Sequence, residues 1–580
     1  VPIIARQRSS SPALGIESES LTALTKWCIA VAALCGSLMA SVAWRVYGPS
    51  VHPDEWGFLL NGQVLTGHHQ VSVPTRSFYP AAYGLITGLG SLLTGSLAGS
   101  YRFALFSNLA CAVALAWLTI VLASKILGVS RNASVIAACL VFVMPGTIVS
   151  AMFSWPETAA RLVFMVFVVG LHKITATRRS WHIVVFGFLV GVMPALHGRF
   201  TLVLPVVCCL FLWWGVKRDV GRMVALAAVF ATCIGYECAR LLNKFVKIRL
   251  YPDSLSQDSR LLKRLIKPKV WPALIRTMVG QSWYLLASTA GLVLVGIVFA
   301  VWSGARAKTE GPRRLDPTIV TSIVTCVSAL LVMFTGGLQL LYGTRADHHI
   351  YGRYVEILVP VLIVFAVAGL ERMQVSAHRV WLLGALSIPL ISVAYVVIDG
   401  GDVVRTGALH NTLVEPNVPA IDAVRYLVTP GLISLGLLLG GLAIILWGLG
   451  RWRWQLSLGV LVLLFAISSS ISGERSILAR DNDLQKTGSS IAIVNQPGTT
   501  QVGFDEGVDN DRSYYFLRYR LDPIQVVRFD VSGPDAIIPP EFNCVYGFAD
   551  RPPTDGQWES VADEVPLLRV LWRRVGATHC

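Results

Sequence analysis

The sequence predicts an α-helical polytopic membrane protein, N-terminus inside and C-terminus outside, ending in a small extracytoplasmic α/β domain. Three observations carry this. Of the 580 residues, 54% are hydrophobic and only 14% charged, against about 25% charge in a soluble globular chain. Apolar runs of about 20 residues, each long enough to cross a bilayer, recur along the chain. Basic residues collect on alternate connections between those runs, as the positive-inside rule requires.

Residues 1–26 carry no apolar core and are expected to be a polar tail rather than a cleavable signal peptide. The first apolar run then acts as an uncleaved anchor. About thirteen candidate spans follow: 27–47, 101–123, 133–153, 157–174, 181–196, 199–216, 222–243, 283–302, 318–341, 354–370, 380–398, 430–449 and 454–472. The expected division is a cytoplasmic tail over 1–26, a transmembrane domain over 27–472 with long external loops at 48–100 and 244–282, and an extracytoplasmic domain over 473–580.

With the N-terminus inside, the inner connections carry Lys125/Arg131, Lys173/Arg178/Arg179, Lys217/Arg218/Arg222, Arg306/Lys308/Arg313/Arg314, Arg372/Arg379 and Arg451/Arg453. The net charge of +15 is therefore read as membrane anchoring charge, and no nucleic-acid partner is implied. The outer face receives the segments rich in chemistry: HPDE in the first loop, SWPE at 154–157, HGRF at 197–200, the basic loop 244–282, and YGTRADHHIYGR at 342–353. GQSWYLL at 280–286 reads as an interfacial belt where a span begins.

The tail mixes strand-like runs, SIAIVN (490–495), IQVVRFD (524–530), CVYGF (544–548) and LLRVLW (567–572), with a helix around 511–521. Of eleven cysteines, nine lie in apolar segments; the other two, Cys544 and Cys580, lie in the tail. An oxidising exterior permits a Cys544–Cys580 disulfide, with two separate thiols as the alternative. No CxxC or Cys/His spacing suggests zinc, and no P-loop or GxGxxG suggests a nucleotide.

In HPDEWGFLLNGQVL, Pro53 suits the first position of a helix, and Asp54 and Glu55 favour the positive end of its dipole. Trp56, Leu59, Leu60 and Val64 share one face, spaced for a helix lying flat on the membrane. A helix cap accounts for one acid better than two. A hydrophobic chain with an acidic motif just after its first span resembles the GT-C glycosyltransferases. His52-Pro53-Asp54-Glu55 is similar to the HPDE motif of the GPI-anchor and dolichol-pathway mannosyltransferases. The layout, with an extracytoplasmic tail, is nearer to actinobacterial cell-envelope members that use polyprenyl-phosphate sugars.

The resemblance implies an inverting transferase of the plasma (inner) membrane, with its site on the periplasmic face. Asp54 would be the general base and Glu55 its partner. The donor would be a polyprenyl-phosphate monosaccharide and the acceptor an envelope glycan or glycolipid, as in cell-wall biogenesis; arabinofuranosyl and mannosyl transfer both stay open. A carboxylate takes the proton of the attacking hydroxyl, while the departing phosphate needs cations rather than an acid. Arg345, His348, His349 and Arg353 are candidates for that clamp, against an ordinary wet loop. Arg199, beside His197, is a second cation, against an arginine that snorkels from a hairpin turn. Glu157 resembles the second acid of the family, with His52 beside the first; the plainer reading of Glu157 is an acid near a helix start. Glu237 and Arg240, three residues apart, read equally as an internal ion pair. His52, Asp54, Glu55, Glu157 and His348 are metal-ligand types, and some GT-C enzymes use divalent ions, but no spacing demands one. A transporter would place ionisable groups near the membrane midplane, and a non-catalytic glycan-assembly protein would tolerate loss of Asp54.

Overall fold

The structure, a computed structural model, describes residues 20–49, 53–68, 77–251, 264–306, 316–341, 350–399, 431–478, 489–505, 511–531, 538–554, 556–564 and 569–580. Among these, eight helices are long and apolar enough to cross a membrane, or up to ten if each of two bent pairs makes one span. The order is α1 (Ala23–Arg45), α2 (Pro53–Leu65), α3 (Gly84–Thr94), α4 (Leu97–Ile120), α5 (Arg131–Val143), α6 (Pro145–Ile148), α7 (Glu157–Thr177), α8 (Ser180–Val192), α9 (Val203–Lys217) and α10 (Arg222–Leu250). Next come α11 (Val270–Ser288), α12 (Leu292–Arg306), α13 (Pro317–Gln339), α14 (Val359–Arg372), α15 (Val375–Asp399) and α16 (Leu432–Ile471).

The departures from thirteen uniform spans have local causes. The 133–153 run breaks between α5 and α6, a bend of 55°, because Pro145 cannot continue the preceding helix and pushes Met144 into an extended conformation. The run expected at 283–302 straddles a bend of 105°. There Ala290 and Gly291 both take positive φ, and Gly291 lies so close to the backbone of Gly384 and Ala385 that no side chain would fit. GQSWYLL is therefore not an interfacial belt: Trp283 and Tyr284 are buried in the second half of α11. The 354–370 run yields α14, buried along most of its length. The runs at 430–449 and 454–472 are joined in α16, which kinks at Arg453. Ser457 Oγ donates to Leu446 O at 2.8 Å, where a straight helix would separate them by roughly 16 Å, so the chain doubles back.

The turns fall into two groups at opposite ends of the same helices. At one end Arg178 meets Asp219 at 4.0 Å, Ser130 N donates to Glu371 at 3.1 Å, and Arg372 donates to Leu127 O; these are the basic connections. At the other end lie the start of α2, the turn before α7, and Gly352–Leu358.

Helix α2 does not lie on a membrane surface. Trp56, Phe58, Leu59, Leu60, Asn61, Gln63 and Val64 are all buried, so protein covers it on nearly every side. Gly57 and Gly62 allow this, since a Cβ would sit 2.1 Å from Tyr79 and 2.2 Å from Thr87. The buried amides are satisfied: Asn61 Nδ2 donates to Tyr79 O at 3.1 Å, and Gln63 Nε2 to Ser91 Oγ at 3.0 Å.

The tail is a five-stranded mixed sheet. Its strands are β1 (Gln501–Asp505), β2 (Gln525–Phe529), β3 (Cys544–Gly547), β4 (Trp558–Glu564) and β5 (Arg569–Arg574), in spatial order β2-β1-β3-β5-β4. β1 runs parallel to β2 and β3; β5 runs antiparallel to β3 and β4. SIAIVN is a correction: Ser489–Val494 is a helix, α17, which buries Ile491 and Val494 one turn apart. Asp511–Arg520 forms α18. Cys544 and Cys580 are joined by a disulfide.

Helix α18 docks the tail on the membrane helices. Tyr515 stacks on Trp56 at 5.4 Å, Tyr519 meets the same ring edge-on, and Tyr519 OH donates to Tyr47 O at 2.8 Å. Asp522 accepts from Leu97 N at 3.0 Å, at the first turn of α4. The aromatic contacts contribute about 0.5–1.5 kcal/mol per pair beyond their buried area.

Candidate active site

Helix α2 begins at Pro53, which places Asp54 in the first turn. Asp54 Oδ1 accepts from Tyr79 OH at 2.9 Å, and Oδ2 faces Arg353 Nη1 at 2.7 Å. Tyr79 is itself held: Asn61 grips its carbonyl, Tyr251 OH donates to Asn61 Oδ1 at 2.7 Å, and Gly57 leaves room for its ring. Burial, and then the Asp54 charge, push the Tyr79 phenol well above its ordinary value. It therefore keeps its proton and fixes the carboxylate.

Arg353 bridges two acids. Beyond Asp54, its Nε and Nη2 reach Glu157 Oε1 at 2.7 and 2.6 Å, a charge-assisted fork. Its guanidinium lies 4.2 Å from the centre of the Trp155 ring. Burial alone would lower its proton affinity; Glu157, Tyr351 and Asp54 outweigh this and hold it well above the ordinary arginine value. Glu157 stands at the first position of α7, where the helix dipole favours its charge.

Asp54 and Glu55 face different surroundings. The Asp54 side chain is 29% exposed, whereas Glu55 is wholly buried. Glu55 Oε1 accepts from Ser154 N at 2.8 Å and Ser154 Oγ at 3.3 Å. It ties α2 to the turn that carries Trp155 and Glu157.

Arg199 is buried, so it does not snorkel. Its guanidinium lies 3.3 Å from the Tyr354 ring centre, and Nη1 donates to Tyr354 O at 3.4 Å. His197 is flanked by arginines. Burial, then Arg199, Arg353 and Arg161, hold its imidazole well below the ordinary value, and hence neutral. One turn deeper on α7, Arg161 pairs with Glu356, which also accepts from Tyr284 OH. Both Arg161 and Glu356 are almost fully buried.

The structure thus brings together Asp54, Glu157, Arg353 and Arg199 and turns Glu55 inward. His52, Arg345, His348 and His349 lie outside the described residues. Glu237 and Arg240 pair with each other at 2.6 Å, about half exposed. Among the described residues, no three His, Cys, Asp or Glu side chains gather to hold a metal ion. The sequence reading missed Tyr79, Ser154, Tyr251, Arg161, Tyr284 and Glu356. Arg161 and Glu356 carried a signal, since each fell inside an expected span, where an ionisable group stands out. Tyr79, Ser154 and Tyr251 gave none.

No family model matches the sequence, and no curated protein matches it significantly. Two solved structures share the architecture over nearly the whole chain. ArnT from Cupriavidus metallidurans, solved in the apo state, aligns over 95% of this chain and 98% of its own with TM-score 0.52 and 14% identity. ArnT bound to undecaprenyl phosphate aligns over 95% and 99% with TM-score 0.53 and 14% identity. The likeness shows a shared fold.

Proposed function

We propose that the chain is a membrane glycosyltransferase that moves a monosaccharide from a polyprenyl-phosphate donor to an envelope glycan or glycolipid, at the extracytoplasmic face. One observation carries this. In a fold shared with a protein solved with undecaprenyl phosphate bound, a partly exposed aspartate is oriented by a tyrosine and an arginine. Asp54 is the base: the acceptor oxygen attacks the anomeric carbon and its proton passes to the carboxylate. The bond from that carbon to the phosphate oxygen breaks, and the electron pair leaves with the polyprenyl phosphate. Attack opposite the leaving group inverts the configuration.

Arg353 has a wider part than a phosphate clamp. An arriving phosphate competes with Asp54 for the guanidinium, and a carboxylate that loses that partner is a stronger base. Arg199, with Arg345, His348 and His349, supplies the remaining positive charge for the leaving group. Glu55 acts by positioning, and Glu157 by holding Arg353. The sugar stays open.

The test is consumption of synthetic polyprenyl-phosphate sugars by purified protein, following release of polyprenyl phosphate. Release that depends on an added glycan or glycolipid supports the assignment. No release across mannosyl, arabinofuranosyl and other donors overturns it.

A further inference from the structure

Two ion pairs join the same two elements with opposite polarity. On α7, Glu157 and Arg161 are four residues apart and share a face. On the short 3₁₀ turns Gly352–Tyr354 and Glu356–Leu358, Arg353 and Glu356 are three apart and also share a face. Glu157 pairs with Arg353, and Arg161 with Glu356. Each pair leaves one buried atom over: Glu157 Oε2 and Arg161 Nη1 have no hydrogen-bond partner among the described residues. These atoms belong to an acid and a base one helical turn apart. Gly146 lets the chain close over the inner pair, because a Cβ there would stand 2.5 Å from the Glu356 carboxyl.

We infer that Arg161 and Glu356 are positioning residues that set, through Glu157 and Arg353, how much of the Arg353 charge reaches Asp54. The inference rests on the reading of Asp54 as the base. Removing the Glu356 charge frees Arg161 to take the idle oxygen of Glu157. Glu157 then loosens its hold on Arg353, which turns more fully to Asp54. Removing Arg161 does the reverse: Glu356, left without its cation, draws on Arg353 three residues away, and Asp54 loses part of its partner. Among the described residues, Tyr79, Tyr351 and Tyr251 also face Asp54. All three are tyrosines held in their neutral form, so they stay constant across the acid range.

The experiment is an infrared titration of the Asp54 carboxyl in the full-length protein, taken as the difference from Asp54→Asn. It requires no turnover, so failure of the inference and failure of the enzymatic assignment are separable. Glu356→Gln should move the Asp54 titration to lower pH and Arg161→Met to higher pH, each by about one unit, the lower end of the effect of a close opposite charge. Arg161→Met/Glu356→Gln, which removes a buried pair together and so preserves the fold, should titrate like wild type. Tyr284→Phe, a milder loosening of Glu356, should give a smaller upward shift. In a Glu157→Gln background the Glu356→Gln shift should vanish. Glu356→Gln and Arg161→Met shifting in the same direction, no shift with Tyr284→Phe, or a Glu356→Gln shift that survives Glu157→Gln would each overturn the relay.

Discussion

Arg353 Nη1 stands 2.7 Å from Asp54 Oδ2, so the candidate base and the most heavily engaged cation of the site are one hydrogen-bonded unit. The same guanidinium holds Glu157 on its other edge. The start of α2, the start of α7 and the Gly352–Tyr354 turn are thereby joined at one point.

Arg353→Leu leaves two carboxylates facing each other without their cation. It should cost about 3–5 kcal/mol of stability, the usual result of removing one partner of a buried pair. Arg353→Lys should recover only part of this, because an ammonium cannot match the forked geometry. Heat or denaturant unfolding in detergent reads both; an Arg353→Leu protein as stable as wild type would remove Arg353 from its bridging place.

Glu55→Ala removes the acceptor of the Ser154 N–H inside the protein. A loss of about 1–3 kcal/mol is expected, together with weaker turnover as the Trp155–Glu157 turn loosens. If Glu55→Ala abolished turnover with no change in stability, Glu55 would instead take part in the reaction.

Tyr515→Ala removes the ring stacked on Trp56 and should cost about 3–5 kcal/mol, as for other large aromatic truncations in cores. Because Trp56 lies two residues from Asp54, turnover should fall with it. Cys580→Ser opens a 36-residue loop and should lower tail stability by about 2–4 kcal/mol while leaving turnover nearly intact. Unfolding curves and transfer rates measured on both variants separate the two effects.

His197 gives a pH dependence of defined sign. Its folded-state proton affinity is depressed by burial and by Arg199, Arg353 and Arg161. Below the ordinary histidine value of about 6.5, the unfolded chain binds a proton that the folded chain refuses. Stability is therefore present above that pH and is lost as pH falls toward the folded-state value. The unfolding midpoint of wild type should drop more between about pH 7 and about pH 5 than that of His197→Gln. Equal drops would show that His197 does not feel the arginines.

The sequence made the architecture legible because bilayer thickness imposes a length on apolar runs and the loops carry charge on one side. It placed Asp54, Glu157, Arg199 and Arg353 on one face for the same reason. It did not show that Arg353 would turn to the acids, since its pairing with Glu157 spans 196 positions and that with Asp54 still more, and both depend on how α7 and α2 pack. The pattern of α2 misled. Its apolar face matched an interfacial helix, but Gly57 and Gly62, which let other segments close over it, carry no periodic signal. SIAIVN failed similarly: six apolar-rich residues fit a strand or a helix, and tertiary packing chose the helix. β1 was overlooked because Gly503 interrupts it, yet a Cβ there would sit 2.7 Å from Phe529. Glycine leaves room there for the Phe529 and Val545 side chains of the two neighbouring strands.

The most direct measurement compares wild type with Asp54→Asn in transfer from a polyprenyl-phosphate sugar, recording turnover and donor binding together. Asparagine keeps the size and a hydrogen bond but cannot take a proton. Turnover should fall by about 10²–10⁴-fold, the usual contribution of a positioned base, with donor binding retained or strengthened because Arg353 is released. Near wild-type turnover by Asp54→Asn would contradict the assignment of Asp54 as the base.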